Sequence, residues 1–127
     1  MPEIHSFEYA TIRVVPKVER EEFLNVGVIL YCPSAKFLKA KIRLHEERLL
    51  TLCNKIDIEE VKQHLDALDQ ICNGTALSSP IAKLDIASRF RWLTATRSTV
   101  VQSSKVHPGL CTDPMDKLEK LFTEMVL

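Results

Sequence analysis

The sequence is poor in the features that mark nucleotide-binding loops and common catalytic motifs. Only three of its 127 residues are glycines, Gly27, Gly74 and Gly109, which argues against a glycine-rich phosphate loop. It contains no G-x-S-x-G elbow and no C-x-x-C pair. No apolar run approaches the ~20 residues that a membrane-spanning helix needs. A catalytic function therefore has no local motif to support it.

The chain also lacks a net charge and a recognisable secretory signal. Lys and Arg number 17 and so do Asp and Glu, so we expect no global attraction to nucleic acid or anionic membrane. The first six residues contain neither a basic nor an apolar signal region. The four cysteines are widely separated, which favours free thiols over a zinc site. We therefore expect a soluble cytoplasmic protein without a metal or cofactor.

Strand-like segments precede helix-like ones along the chain. Residues 7–15, 23–32 and 36–44 are rich in β-branched and aromatic side chains, and residues 97–103 form a weaker run of the same kind. Strands followed by helices are typical of an α+β fold. We predict one domain, residues 1–127, with an antiparallel sheet of about four strands and helices packed on one face.

Four helices are predicted from apolar spacing and capping residues. The first covers residues 45–53, and the second begins after Asp57 and ends at Gly74. A third is expected within residues 85–93. The fourth begins with Asp113 as N-cap and Pro114 at the first helical position. The His-Pro-Gly sequence at 107–109 is predicted to be a loop.

Alternation along the strands assigns their residues to two faces of the sheet. The face expected to form the core carries Leu24, Val26, Val28, Leu30, Cys32, Leu38, Ala40, Ile42 and Leu44. The opposite face mixes aromatic rings with cations and carries Phe7, Tyr9, Thr11, Arg13, Asn25, Gly27, Tyr31, Phe37, Lys39, Lys41 and Arg43. This second face could bind single-stranded nucleic acid through Lys39, Lys41 and Arg43. Alternatively, it is solvated or covered by a later part of the chain.

Two residues of the second predicted strand have special roles in this interpretation. Gly27 lies inside the strand, where glycine indicates a bulge or a close approach of another backbone. Asn25 could hydrogen-bond a ligand or satisfy a backbone group of an adjoining loop.

The segment 86–112 contains no acidic residue, but it contains five basic ones: Arg89, Arg91, Arg97, Lys105 and His107. Ser98, Gln102 and other polar side chains lie among them. Guanidinium groups and hydroxyls together suit phosphate or carboxylate. Alternatively, the arginines bridge to the glutamates of residues 19–22 on a solvated surface. His107 is the candidate acid or base, because histidine titrates near neutrality, but no nucleophile is recognisable beside it.

Several segments together resemble a known family. They are YATIRVVP from Tyr9, EREEFLNVGV from Glu19, RFRWL from Arg89, RST from Arg97 and VHPG from Val106. These segments are similar to a bacterial family of uncharacterised proteins, domain of unknown function 3037. The resemblance implies no established activity. It implies a small accessory partner of a HipA-like kinase or a toxin–antitoxin component.

Our first hypothesis is a non-catalytic binding or accessory module that engages a protein partner. The residues expected to bind are Arg13, Arg20, Asn25, Arg89, Arg91, Trp92, Arg97, Ser98, Gln102 and His107. The alternatives are a nucleic-acid or nucleotide-binding protein and a phosphate-ester-processing enzyme that uses the Arg/His cluster. Each hypothesis expects folding to gather these separated cations in one pocket.

Overall fold

The fold is built on a five-stranded antiparallel sheet. A computed structural model describes residues 3–17, 22–75, 80–95 and 99–127, so Arg20, Arg97 and Ser98 lie outside the described residues. The strands are β1 (His5–Lys17), β2 (Glu22–Cys32), β3 (Phe37–Ile42), β4 (Val101–Ser103) and β5 (His107–Cys111). β3 pairs with β2 and β2 with β1, while β4 and β5 pair with successive parts of the other edge of β1.

Four α-helices complete the described structure: α1 (Glu46–Leu52), α2 (Ile58–Asn73), α3 (Ile86–Leu93) and α4 (Pro114–Met125). The predicted caps are confirmed, because the Asp57 side chain accepts a hydrogen bond from the Glu60 amide and Asp113 accepts from the first turn of α4. Gly74 ends α2 with a positive φ of 71°, which glycine adopts without strain. Within the described residues, none of these helices combines the length and the apolar character that crossing a bilayer requires.

The predicted α+β class and antiparallel sheet are confirmed, but helices cover both faces of the sheet rather than one. α1, α2 and α3 pack on one face, here called the α1–α3 face, around Ile29, Tyr31 and Phe90. α4 packs on the other, the α4 face, around Val28 and Leu30. The physical reason lies in β2, whose residues from Val26 to Cys32 are all buried. A continuous apolar strand of this kind needs cover on both sides.

A bulge in β2 explains why alternation failed for part of this strand. Ile12 pairs with Gly27 and Arg13 with Asn25, so Val26 is an extra residue with no partner on β1. Val26 consequently packs in the α1–α3 cluster, whereas Val28 packs against α4. The predicted close approach at Gly27 is confirmed, because a Cβ there would lie 2.7 Å from the Lys41 carbonyl oxygen.

The loop predicted at residues 107–109 is wrong, since these residues begin β5. Proline and glycine usually signal a turn, but here Pro108 lies on an edge strand, where the missing N–H group is tolerated. Gly109 lies opposite Phe7, and a Cβ at Gly109 would approach the Phe7 ring to 2.5 Å. Pairing with β1 and room for this buried ring therefore decide the local structure.

Candidate functional site

Three of the predicted site residues meet on the α4 face. Arg13 lies directly opposite Asn25 of β2 on one side and Gln102 of β4 on the other. The Arg13 guanidinium carbon lies 4.0 Å from the centroid of the Phe23 ring, and Nη2 donates a hydrogen bond of 3.2 Å to Thr11 Oγ1. We refer to Arg13, Asn25, Gln102, Phe23 and Thr11 as the Arg13 cluster.

The polar groups of the Arg13 cluster are only partly satisfied. The Asn25 amide nitrogen donates to the Met125 carbonyl oxygen at 3.2 Å, so it binds a backbone group of α4 rather than one of an adjoining loop. The Gln102 amide nitrogen donates to the Thr99 carbonyl oxygen at 2.7 Å. Arg13 Nε and Asn25 Oδ1 are buried, and neither has a hydrogen-bond partner among the described residues. Burial also lowers the pKa of the Arg13 guanidinium from its ordinary value.

Arg91 lies on the opposite face and has a carboxylate partner. Its two terminal nitrogens donate to the two carboxylate oxygens of Glu8 on β1, at 3.2 and 2.8 Å. This bidentate pair links α3 to the sheet. Glu8 is thus the carboxylate partner of Arg91 that the structure shows, whereas Glu19 and Glu21 of the predicted alternative lie outside the described residues.

Arg89, also on α3, lies at the C-terminal end of α2. Its Nη1 lies 3.5 Å from the Ala82 carbonyl oxygen, and a Cβ added to Gly74 would overlap the same nitrogen. A cation in this position interacts favourably with the C-terminal end of the helix dipole. The location of Arg89 therefore indicates a contribution to stability, and its predicted binding role stays a prediction.

Trp92 borders a small cavity between α2, α3 and β4. The cavity has a volume of about 150 Å³, and the Trp92 residue is 38% exposed. The described residues that line it are His64, Ala67, Leu68, Ile71, Trp92, Leu93, Ala95, Thr99, Val101, Gln102 and Ser103. We call this cavity the Trp92 pocket. Its lining is mainly apolar, with hydroxyl, amide and imidazole groups contributed by a minority of its residues.

His107 is exposed and stacks on Tyr9, with 5.3 Å between the ring centroids. Tyr9 precedes Arg13 by four residues on β1, which corresponds to roughly 13 Å along a strand. Among the described residues, the His107 side chain makes no hydrogen bond or ion pair. The structure therefore brings Arg13, Asn25 and Gln102 together, but it separates them from His107 and from the arginines of α3.

The surface proposed for nucleic acid is partly covered by α4. Phe7 is only 2% exposed, and the Lys41 ammonium forms an ion pair with Glu119 and lies 4.8 Å from the Phe122 ring centroid. Lys39 and Arg43 remain exposed. Nucleic-acid binding through these three cations stays a prediction, but the buried Phe7 ring offers no platform for a stacked base.

The cysteines are free thiols, as predicted. Burial raises the pKa of the Cys72 thiol to about 12, so this thiol stays protonated at neutral pH. In the described ranges, no group of three or more His, Cys, Asp or Glu side chains is arranged to hold a metal ion.

The comparison with protein families matches nearly the whole chain. A family model described as a protein of unknown function (DUF3037) covers residues 9–126. The chain belongs to this family. We found no match among curated proteins or among solved structures. The matched range includes the Arg13 cluster and the Trp92 pocket, so both belong to the part of the chain that the family model covers.

Sequence analysis did not predict the α2 residues that line the Trp92 pocket, including His64, Ala67 and Leu68. Apolar residues at helical spacing, such as Leu68 and Ile71, indicate only that α2 has an apolar face. α3 and β4 leave part of the apolar face of α2 uncovered. This gap is a result of tertiary packing and cannot be read from the helix alone. The exposed Phe23 was likewise predicted only as a strand residue, although its ring holds the Arg13 side chain in place.

Proposed function

We propose that the protein is a non-catalytic binding module that engages a protein partner at the Trp92 pocket. The observation that supports this proposal is a partly exposed tryptophan at the border of an apolar cavity. Tryptophan is enriched among the residues that contribute most to protein–protein affinity, and such residues cluster around well-packed pockets. The pocket is also formed by secondary-structure elements that pack on the core of the protein.

The size of the Trp92 pocket favours a single side chain as its occupant. Its volume of about 150 Å³ is well below the ~300–1,000 Å³ of cavities that enclose a drug-sized ligand or cofactor. One aliphatic or aromatic side chain of a partner would fit this volume. Burying such a side chain completely stabilises a complex by about 1.5–3 kcal/mol. The pocket is therefore suited to anchoring a partner through one apolar residue.

The border of the pocket has the chemistry expected around such an anchor. His64, Thr99 and Ser103 provide hydrogen-bonding groups beside the apolar lining, as in interfaces with an apolar centre and a polar rim. In the sequence, Arg97 lies between Ala95 and Thr99, both of which line the pocket. Arginine is also enriched at interface hot spots.

The experiment is a pull-down from a native lysate with wild-type protein, Trp92→Ala and Arg97→Glu. Met115→Ala is the matched control, because Met115 is a similarly exposed apolar residue on α4. The family resemblance makes a HipA-like kinase the first purified protein to test directly. We expect a stoichiometric partner that wild type and Met115→Ala retain and that the other two variants lose. Equal recovery by all four proteins would contradict the proposal.

A further inference from the structure

The Arg13 side chain is held in one position on the α4 face by contacts that, among the described residues, include no carboxylate. The Phe23 ring lies against the guanidinium group, and Thr11 Oγ1 accepts one of its hydrogen bonds. Among the described residues, no carboxylate lies within 4.0 Å of Arg13, whereas Arg91 is paired with Glu8. A partly buried cation without a counter-ion is unfavourable for folding, so the position calls for an explanation.

The described neighbours of Arg13 on β2 and β4 are neutral amides. Asn25 lies directly opposite Arg13, yet its amide group is oriented by the Met125 carbonyl, and Oδ1 does not accept from Arg13 Nε. A primary amide has two N–H donors, and Asn25 and Gln102 each donate one hydrogen bond to a backbone carbonyl. Each amide therefore retains a second N–H for another acceptor. The cluster combines one fixed cation with neutral donors on two flanking strands.

From this arrangement we propose that the Arg13 cluster is an oxyanion-binding site for the carboxylate or phosphate group of a ligand. A guanidinium group is a planar fork that matches two oxygens of either group. The site is accessible, because Arg13 is partly exposed and the adjacent Phe23 is 46% exposed. The ligand is a small anion or the charged end of a larger molecule. This inference does not rest on partner docking at the Trp92 pocket, although Gln102 borders both sites.

The test is an NMR titration of the full chain with sodium acetate and, separately, with inorganic phosphate, at constant ionic strength. We expect saturable shifts of the Asn25 and Gln102 amide signals. Arg13→Met should weaken binding about 10- to 100-fold, the range expected for losing a hydrogen bond to a charged group. Arg48→Met is the control, since Arg48 on α1 is exposed and has no ion pair among the described residues. It should bind as wild type does.

The two probes distinguish the source of the oxyanion. Saturation by both identifies a site for carboxylates and phosphates, and saturation by phosphate alone identifies a phosphate-bearing ligand. Failure of both to saturate, or equal binding by Arg13→Met and wild type, would overturn the proposal.

Thermal unfolding separates a binding role from a structural one. Replacing a partly buried charge that has no carboxylate partner among the described residues with an apolar side chain of similar length should leave the melting temperature of Arg13→Met equal to or above that of wild type. A clear decrease, or failure of Arg13→Met to fold, would show that the fold itself requires this guanidinium and would also overturn the proposal. Arg13→Lys provides a further readout, because it keeps the charge without the fork and should bind more weakly than wild type.

Discussion

Gly74→Ala tests the contact between α2 and α3 on which the placement of Arg89 depends. An L-residue in the left-handed conformation of Gly74 is strained by about 1–2 kcal/mol. The new Cβ would also overlap Arg89 Nη1 and displace the guanidinium from the end of α2. The lost interaction with the helix terminus costs about 0.3–1 kcal/mol. We therefore expect the free energy of unfolding to fall by about 1.3–3 kcal/mol.

Urea denaturation followed by circular dichroism measures this loss, and a double-mutant cycle assigns its parts. In an Arg89→Ala background the overlap is absent, so Gly74→Ala should cost only the conformational strain. The difference between the two backgrounds should be about 0.3–1 kcal/mol. If Gly74→Ala has the same cost with and without the Arg89 side chain, Arg89 does not lie at the C-terminal end of α2. The stabilising role assigned to it is then wrong.

Three further predictions concern other contacts. Native protein at pH 8 should be alkylated by iodoacetamide at Cys53 well before Cys72. The reason is that burial raises the pKa of the Cys72 thiol to about 12 and leaves almost no thiolate. Mass spectrometry that finds Cys72 modified first would contradict this prediction. Phe122→Ala should lower the free energy of unfolding in urea by about 3–5 kcal/mol, because the ring is buried between α4 and the sheet; a loss below about 1 kcal/mol would refute this packing. Glu8→Gln should cost only about 0–1 kcal/mol in the same assay, since its pair with Arg91 is partly exposed; a much larger loss would mean that the pair stabilises the fold strongly.

The parts of the fold that depend on local chemistry could be predicted from the sequence. Asp57, Gly74 and Asp113 mark helix ends through hydrogen bonds and backbone conformations that involve only nearby residues. Gly27 likewise indicated a bulge, because few other reasons place a glycine inside a strand. These signals need no knowledge of what packs against them.

Other parts depend on contacts between distant segments and could not be predicted. The apolar stripe of α4 shows that Leu118 and Phe122 are buried, but it does not say which face of the sheet they cover. The effect of the bulge was also not foreseen, so Tyr31 was assigned to the α4 face although it packs against Phe90 on the α1–α3 face. The local Pro-Gly signal of β5 was overridden by pairing with β1.

Part of the Arg13 cluster could be predicted from local alternation along the strands, and the rest depends on contacts between distant segments. Alternation alone placed Arg13 and Asn25 on one face, which is correct because both lie on the same side of the bulge. Placing Gln102 in the cluster requires knowing that β4 pairs with β1 at Arg13. No local sequence pattern indicates this pairing. The Trp92 pocket depends even more strongly on packing, since three separate elements form it.

The proposed docking at the Trp92 pocket can be tested most directly by fluorine NMR. Trp92 is the only tryptophan in the chain, so incorporation of 5-fluorotryptophan gives a single resonance that reports on this pocket. Addition of the recovered partner should shift this resonance in proportion to the bound fraction. A resonance that stays in place while an independent assay shows the partner bound would contradict docking at Trp92.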